Sequence, residues 1–240
     1  MLEQVSVWRG WKWEARIDDK TPSGRLLLRL TKLMSLEADL RETGIIVFGS
    51  APLEFCAMLG VRSADIDVTP NQFLEHLRNR VKEWGLASGD PYVQVLPPTV
   101  FRPGKNYLVR ASLIKSNGID VIIPHPIDIV FGKLHRMDTK DYTAINELLN
   151  AFQRPTIRDL DAYMVDNPDI FEGLPESAEK LAGNVETLWS YLGGGSVDVR
   201  EKFIKPALEQ QAAAWEEGNG NLSKARDLGD FGKRDVRPLE

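Results

Sequence analysis

Two short patterns, fifteen residues apart, carry side chains that could perform chemistry together. Gly49 and Ser50 end the apolar run 45–48, and Asp65 and Asp67 alternate with apolar residues in a second run. Side chains alternate across a strand, so both carboxylates are expected on one face, about 6–7 Å apart. Such a pair repels, and a divalent cation between the two carboxylates relieves the repulsion. The spacing therefore indicates metal-assisted phosphoryl chemistry.

Each pattern also has a plainer interpretation. Gly-Ser turns are common, and an Asp-x-Asp pair at a strand edge fits a solvated face or a calcium site. The combination is more specific than its parts. An apolar strand, a turn, a short amphipathic stretch and an acidic strand follow one another in order between residues 45 and 68.

This order resembles the signature of the DNA polymerase β-like nucleotidyltransferase superfamily. In that superfamily the Gly-Ser turn opens a helix whose backbone N–H groups hold the phosphates of a nucleotide. The resemblance implies that Gly49 and Ser50 contact the nucleotide. It also implies that Asp65 and Asp67 hold two Mg²⁺ ions, and that a third acid on a neighbouring strand completes the site.

Asp120 is the preferred third acid. It lies in the run 119–123, among β-branched residues, and this run ends at Pro124. Asp128 is the alternative, but it follows two prolines that interrupt strands. By analogy with the superfamily, Asp120 is expected to ligate one metal ion and to accept the proton of the acceptor hydroxyl.

A second pattern narrows the resemblance. Residues 133–136 read Lys-Leu-His-Arg, and a Lys-Asp pair follows at Lys140 and Asp141. This is similar to the AbiEii/MenT-type toxin branch of the superfamily, which implies that Lys133 faces the nucleotide phosphates. Lys140 and Asp141 are then expected to support the same pocket. In a purely structural alternative, Asp141 lies in the first turn of a capped helix and Lys140 is solvated.

The surrounding patterns predict the elements that position these residues. We expect an α/β (α+β) fold, with a small mixed β-sheet core flanked by helices and followed by a C-terminal helical bundle. The predicted strands are 45–48, 64–68, 92–96, 107–114 and 119–123. The predicted divisions are an arm with three tryptophans over 1–24, a nucleotidyltransferase core over 25–135, a helical region over 136–216 and a flexible tail over 217–240.

Composition sets limits on the function. The chain has 240 residues, a formal net charge of −5 and a single cysteine, Cys56. The acidic balance argues against a long nucleic-acid footprint, although a basic group over 101–115 fits either a substrate-facing patch or a solvated face. A disulfide framework is excluded, and no apolar run is long enough to span a membrane. We expect a cytoplasmic protein.

These observations lead to one expected function and two alternatives. The expected activity is transfer of a nucleoside monophosphate from an NTP to a hydroxyl of RNA or protein, with release of pyrophosphate. The toxin-like branch implies an antitoxin protein as a partner. The alternatives are transfer to a small, aminoglycoside-like acceptor, which suits the negative net charge, and a catalytically dead nucleotide-binding or scaffold module.

Overall fold

The computed structural model describes residues 5–57, 60–172, 175–209 and 213. Its first half combines strands and helices in this chain order: β1 (Val5–Trp8), β2 (Trp11–Glu14), α1 (Pro22–Leu36), β3 (Ile45–Phe48), α2 (Ala51–Ala57), β4 (Asp65–Pro70), α3 (Leu74–Glu83), β5 (Tyr92–Val95), α4 (Tyr107–Arg110), β6 (Ser112–Ser116) and β7 (Ile119–Ile123). The second half is helical, with α5 (Pro126–Leu134), α6 (Thr139–Phe152), α7 (Ile157–Asp166), a 3₁₀ turn (Pro168–Phe171), α8 (Pro175–Tyr191) and a π-helical turn (Arg200–Ile204).

The central sheet has the strand order β5-β4-β3-β7-β6. β4 runs antiparallel to β3, and β6 runs antiparallel to β7. β7 is parallel to β3, and β5 is parallel to β4. Strands of both directions therefore form one mixed sheet with helices packed against it, which confirms the predicted fold class.

The first hairpin packs on the body of the protein. β1 and β2 are joined by Arg9 and Gly10, whose φ angles of 45° and 78° suit the twist of a two-residue hairpin loop. The three tryptophans of this hairpin are buried. Trp11 contacts His125, at the start of α5, edge to face, with ring centroids 5.0 Å apart.

The predicted strand 107–114 is wrong in its first half. Residues Tyr107–Arg110 form one helical turn, and the strand begins only at Ser112. The guanidinium of Arg110 makes an ion pair with buried Asp128, with a shortest distance of 2.7 Å. This tertiary contact outweighs the β propensity of the local residues, because strand propensity depends strongly on context.

Helix α5 was not predicted, because Pro124 and Pro126 were interpreted only as strand breakers. Pro126 instead occupies the first turn of the helix, where a missing N–H costs nothing. His125 caps the helix, since its side chain accepts a hydrogen bond from the backbone N–H of Ile127. This helix carries Lys133 towards the Gly-Ser turn.

The predicted helical second half is confirmed for the residues that the structure describes. After α8 the chain becomes helical again at Val199, passes through the π-helical turn at Arg200–Ile204 and is helical to residue 209. The predicted tail, 217–240, lies outside the described residues. Within the described part, every helix is too short or too polar to cross a membrane.

Candidate active site

The Gly-Ser turn lies directly against one of the two acids. β3 ends at Phe48, and Gly49 then adopts a φ of 75°, a left-handed conformation that favours glycine. A Cβ built on Gly49 would lie 2.5 Å from Oδ2 of Asp67. Glycine is therefore needed both for the turn and for the close approach of the Asp67 carboxylate.

Asp65 and Asp67 lie on the same face of β4. Both are partly exposed, whereas the alternating residues Ile66 and Val68 are fully buried. Asp67 pairs with Phe48 across the antiparallel ladder, so it lies at the end of β3 where the Gly-Ser turn begins. The strand thus presents two carboxylates beside the turn, as the spacing predicted.

The environment of Asp67 disfavours its negative charge. Burial and the neighbouring carboxylate of Asp65 raise the pKa of Asp67 from 3.8 to about 6. The positive charges of Lys133, Arg136 and Lys140 oppose this rise. A bound cation would favour the ionised form of Asp67, since it would counter the repulsion between the two acids.

Lys133 links the turn to the helical half of the protein. Its side chain is only 5% exposed, and Nζ donates hydrogen bonds to Ser50 Oγ at 2.8 Å and to Asp141 Oδ1 at 2.9 Å. Burial lowers the pKa of Lys133, and the Asp141 carboxylate partly offsets this effect. The ammonium group is thereby fixed beside Ser50 and within electrostatic reach of Asp67.

Asp141 holds two positively charged side chains, those of Lys133 and Arg136. It is fully buried and accepts hydrogen bonds from Lys133, from the guanidinium of Arg136 at 2.9 and 3.1 Å, and from the backbone N–H of Asp138 at 3.0 Å. Burial alone would raise the pKa of Asp141, but these donors lower it. Asp138 and Asp141 also form the capping box of α6. Asp141 therefore caps α6 and also holds the side chains of Lys133 and Arg136.

Arg136 is a site residue to which the sequence analysis gave no role. Its side chain is 51% exposed, and it makes ion pairs with Asp138 and Asp141 at 2.8 and 2.9 Å. Its charge acts on Asp67. The spacing of three from Lys133 was an available signal, because residues i and i+3 lie on one side of a helical turn. Lys140 is exposed and also acts on Asp67 through its charge.

The prediction that Asp120 joins the other two acids is wrong. β7 runs parallel to β3 with Val121 opposite Ile45, so Asp120 lies beside Gly44, at the start of β3. Asp67 lies at the other end of β3, roughly 13 Å away along the strands and 10 Å across them. Asp120 instead accepts a hydrogen bond from Lys115 Nζ at 2.7 Å.

Asp128, the alternative third acid, has a structural role. It is fully buried in the first turn of α5 and accepts hydrogen bonds from Arg110 Nη2 and from the hydroxyl of Tyr163, each at 2.7 Å. Burial raises the pKa of Asp128, while the hydrogen bonds from Arg110 and Tyr163 favour its ionised form. Both oxygens of this carboxylate thus accept hydrogen bonds within the core.

The strand that neighbours the acids carries an amide. β5 is parallel to β4, with Tyr92 opposite Asp65 and Gln94 opposite Asp67. Across residues 5–57, 60–172 and 175–209, no group of three or more His, Cys, Asp or Glu side chains could hold a metal ion. Two carboxylates still fit Mg²⁺, which proteins commonly hold through one or two carboxylates together with substrate phosphates and water.

An aromatic contact joins the end of β3 to the loop that contains Phe101, beside α5. Phe101 stacks on Phe48 with ring centroids 5.0 Å apart and an interplanar angle of 19°. A Cβ on Gly132 would lie 2.6 Å from the ring of Phe101. Because Gly132 has no side chain, the loop that contains Phe101 can pack against α5 next to Lys133.

Comparison with protein families identifies the family of this chain. The model of a family described as nucleotidyltransferase of unknown function (DUF6036) matches residues 25–180. This match covers more than half of the chain, so the chain belongs to this nucleotidyltransferase family. The matched span includes the Gly-Ser turn, both acids of β4 and Lys133. Searches of curated proteins and of solved structures each found no match.

Proposed function

We propose that this protein transfers a nucleoside monophosphate from an NTP to an acceptor hydroxyl, with Mg²⁺ as cofactor and pyrophosphate as the second product. The observation that carries the proposal is the hydrogen bond of 2.8 Å between Lys133 Nζ and Ser50 Oγ. It joins a buried cation to a turn that lies against Asp67. Groups that favour phosphates and groups that favour a divalent cation are thus adjacent.

Each residue receives a role that follows from its surroundings. Ser50 and the backbone of Gly49 would contact the terminal phosphates, with Lys133 compensating their charge. Arg136 and Lys140 would add positive charge at the rim, and Asp141 would hold Lys133 and Arg136 in position. Asp65 and Asp67 would hold the metal, and a bound Mg²⁺ would supply positive charge next to the phosphates.

The proposal also specifies the acceptor of the nucleoside monophosphate. We propose a hydroxyl of RNA or of a protein, and a toxin-like role controlled by an antitoxin. The motif resemblance at Lys133 to Asp141 supports this choice. Expression of the chain in bacteria, with and without Asp67→Asn, tests it. Growth inhibition that depends on Asp67 supports a toxin, and normal growth with resistance to a cationic drug supports the small-molecule alternative.

One observation favours a second candidate, a module that binds nucleotide without turning it over. Gln94 lies beside Asp67, where an amide cannot accept the proton of an acceptor hydroxyl as a carboxylate does. In this case the same residues would bind a nucleotide with its metal, and pyrophosphate would not be released.

The test is incubation with each of the four NTPs, labelled at the α-phosphate, with Mg²⁺ and separate pools of RNA and protein. Asp67→Asn is the matched control, because it removes the charge and keeps the shape. We expect label in one pool with the unaltered protein and at least about a hundredfold less with the variant. Equal labelling by both proteins would refute the proposed site.

A further inference from the structure

Gln94 occupies a defined position next to the acidic pair. In a parallel ladder, residues in register point to the same face, and neighbouring strands lie about 4.8 Å apart. Gln94 is in register with Asp67, and Tyr92 is in register with Asp65. Both β5 residues are partly exposed, whereas the alternating Val93 and Val95 are buried. The amide therefore shares the face of the two carboxylates.

The amide of Gln94 is oriented by its neighbour on the same strand. Its Nε2 donates a hydrogen bond to the hydroxyl of Tyr92 at 3.1 Å. Among the described residues, none donates a hydrogen bond to Oε1 of Gln94. An amide oxygen has two lone pairs and carries no charge. Gln94 thus presents a neutral oxygen, a suitable but weak ligand for a hard cation.

The charges around this face disfavour a lone metal ion. The two carboxylates of β4 balance a single divalent cation, but Lys133, Arg136 and Lys140 all act on Asp67. Asp141 and Asp138 offset only part of this positive charge. A triphosphate, which is strongly anionic, would complete the oxygen ligands and would also compensate these three cations.

We propose that Gln94 makes metal binding at this site dependent on the nucleotide, by placing a neutral oxygen beside Asp67 where a third carboxylate would hold the metal alone. This inference rests on the proposed function. It implies that a divalent cation and a triphosphate bind together, each tightening the binding of the other by the same factor, as linkage requires.

The test measures Mn²⁺ binding by electron paramagnetic resonance, with and without an NTP analogue. In this analogue the oxygen that bridges the α- and β-phosphates is replaced, so that transfer cannot occur. We expect weak binding of Mn²⁺ alone and binding at least about tenfold tighter with the analogue, after correction for Mn²⁺ held by free analogue. Gln94→Glu, which adds a carboxylate of the same size, should tighten binding of Mn²⁺ alone about tenfold. Gln94→Ala should leave the binding of Mn²⁺ alone unchanged and weaken the ternary complex.

Gln72→Glu is the matched control. It makes the same change from amide to carboxylate at an exposed residue beyond the opposite end of β4, and it should leave Mn²⁺ binding unchanged. The inference is overturned if Gln94→Glu binds Mn²⁺ alone no more tightly than the unaltered protein. It is also overturned if the unaltered protein binds Mn²⁺ equally well with and without the analogue.

Asp67→Asn separates this inference from the proposed function. If the unaltered protein forms no complex with Mn²⁺ and analogue, or if Asp67→Asn forms it equally well, both the proposed function and the inference fail. If the complex depends on Asp67 but Gln94→Glu changes nothing, only the role of Gln94 fails. Circular dichroism of each variant establishes that it is folded before binding is measured.

Discussion

Lys133 shows at the scale of a single residue which feature of the candidate site suits an anionic ligand. Burying a charged pair is costly, and an apolar pair of similar size is often as stable or more so. The Lys133 side chain is nevertheless only 5% exposed, and its ammonium group is hydrogen-bonded to Asp141, which is fully buried. A cation fixed in this way beside Ser50 is ready to compensate an anionic ligand without rearrangement.

Gly49 allows a sharp test at the same scale. We predict that Gly49→Ala lowers both stability and nucleotide binding, because the new Cβ would lie 2.5 Å from Asp67 Oδ2 and the φ of 75° is strained for alanine. The strain alone costs roughly 1–2 kcal/mol. Urea unfolding and nucleotide titration calorimetry measure the two effects.

Gly10→Ala is the control for this prediction. Gly10 has a similar φ of 78°, but a Cβ there would meet nothing within 4 Å. It should therefore lose similar stability from strain while keeping full nucleotide binding. Equal nucleotide binding by Gly49→Ala and the unaltered protein would show that the contact with Asp67 has no functional importance.

At the scale of elements, Glu54 connects the parts that carry the acids and the turn. This buried residue of α2 accepts hydrogen bonds from Ser23 N and Oγ at 3.3 and 2.7 Å and from Ser63 N at 2.7 Å. Ser23 is in the first turn of α1, and Ser63 precedes β4. The Glu54 carboxylate therefore fixes α2 against α1 and against the segment that precedes β4.

We predict that Glu54→Ala destabilises the protein by about 2–4 kcal/mol, since three buried donors would lose their acceptor. The change in the midpoint of urea unfolding measures this loss. Glu75→Ala is the control, because Glu75 is exposed on α3 and pairs only at the surface with Arg78. It should cost less than about 1 kcal/mol. Similar losses for both variants would contradict the role of Glu54.

His125 makes the start of α5 sensitive to pH. Burial lowers the pKa of His125 from 6.5 to about 4, an effect that the nearby Arg110 reinforces and the hydrogen bond to Trp11 O partly opposes. Nδ1 accepts from the backbone of Ile127, which requires the neutral ring. The unfolded chain therefore binds a proton more readily than the folded chain, and stability falls as pH falls from 6.5 towards 4.

We predict a loss of about 2–3 kcal/mol from His125 between about pH 7 and pH 4.5. His125→Asn keeps a side chain that caps helices and removes the titration, so other titrating groups cancel in the comparison. Urea unfolding at both pH values should show that the unaltered protein loses more stability than the variant. Equal losses would exclude His125 as the cause.

At the scale of the whole molecule, the order of strands decides which acids meet. The strand, turn, helix and acidic strand around Gly49 are contiguous in sequence, so alternation and turn chemistry were enough to predict them. Asp120 could not be assigned in this way. Its strand lies on the far side of β3 from β4, and the parallel register places Asp120 at the opposite end of β3 from Asp67.

The contacts of Lys133 and Asp141 could likewise be predicted only in part from the sequence. The motif containing Lys133 and Asp141 predicted that these residues act together, and the structure brings them within 2.9 Å. The link to Ser50 joins residues 83 positions apart, and it exists only because α5 follows directly after β7 and passes the Gly-Ser turn. Nothing in the sequence indicated that Gln94 lies beside the two acids. Its position can be recognised only when β5 is aligned with β4.

The most direct test of the central claim is calorimetric titration with an NTP and Mg²⁺ of the unaltered protein, Lys133→Met and Asp120→Asn. The claim is that nucleotide binds between the Gly-Ser turn, the acids of β4 and Lys133. We predict that Lys133→Met weakens binding at least about tenfold and that Asp120→Asn changes it less than about twofold. Full binding by Lys133→Met, or an equal loss in Asp120→Asn, would contradict the account.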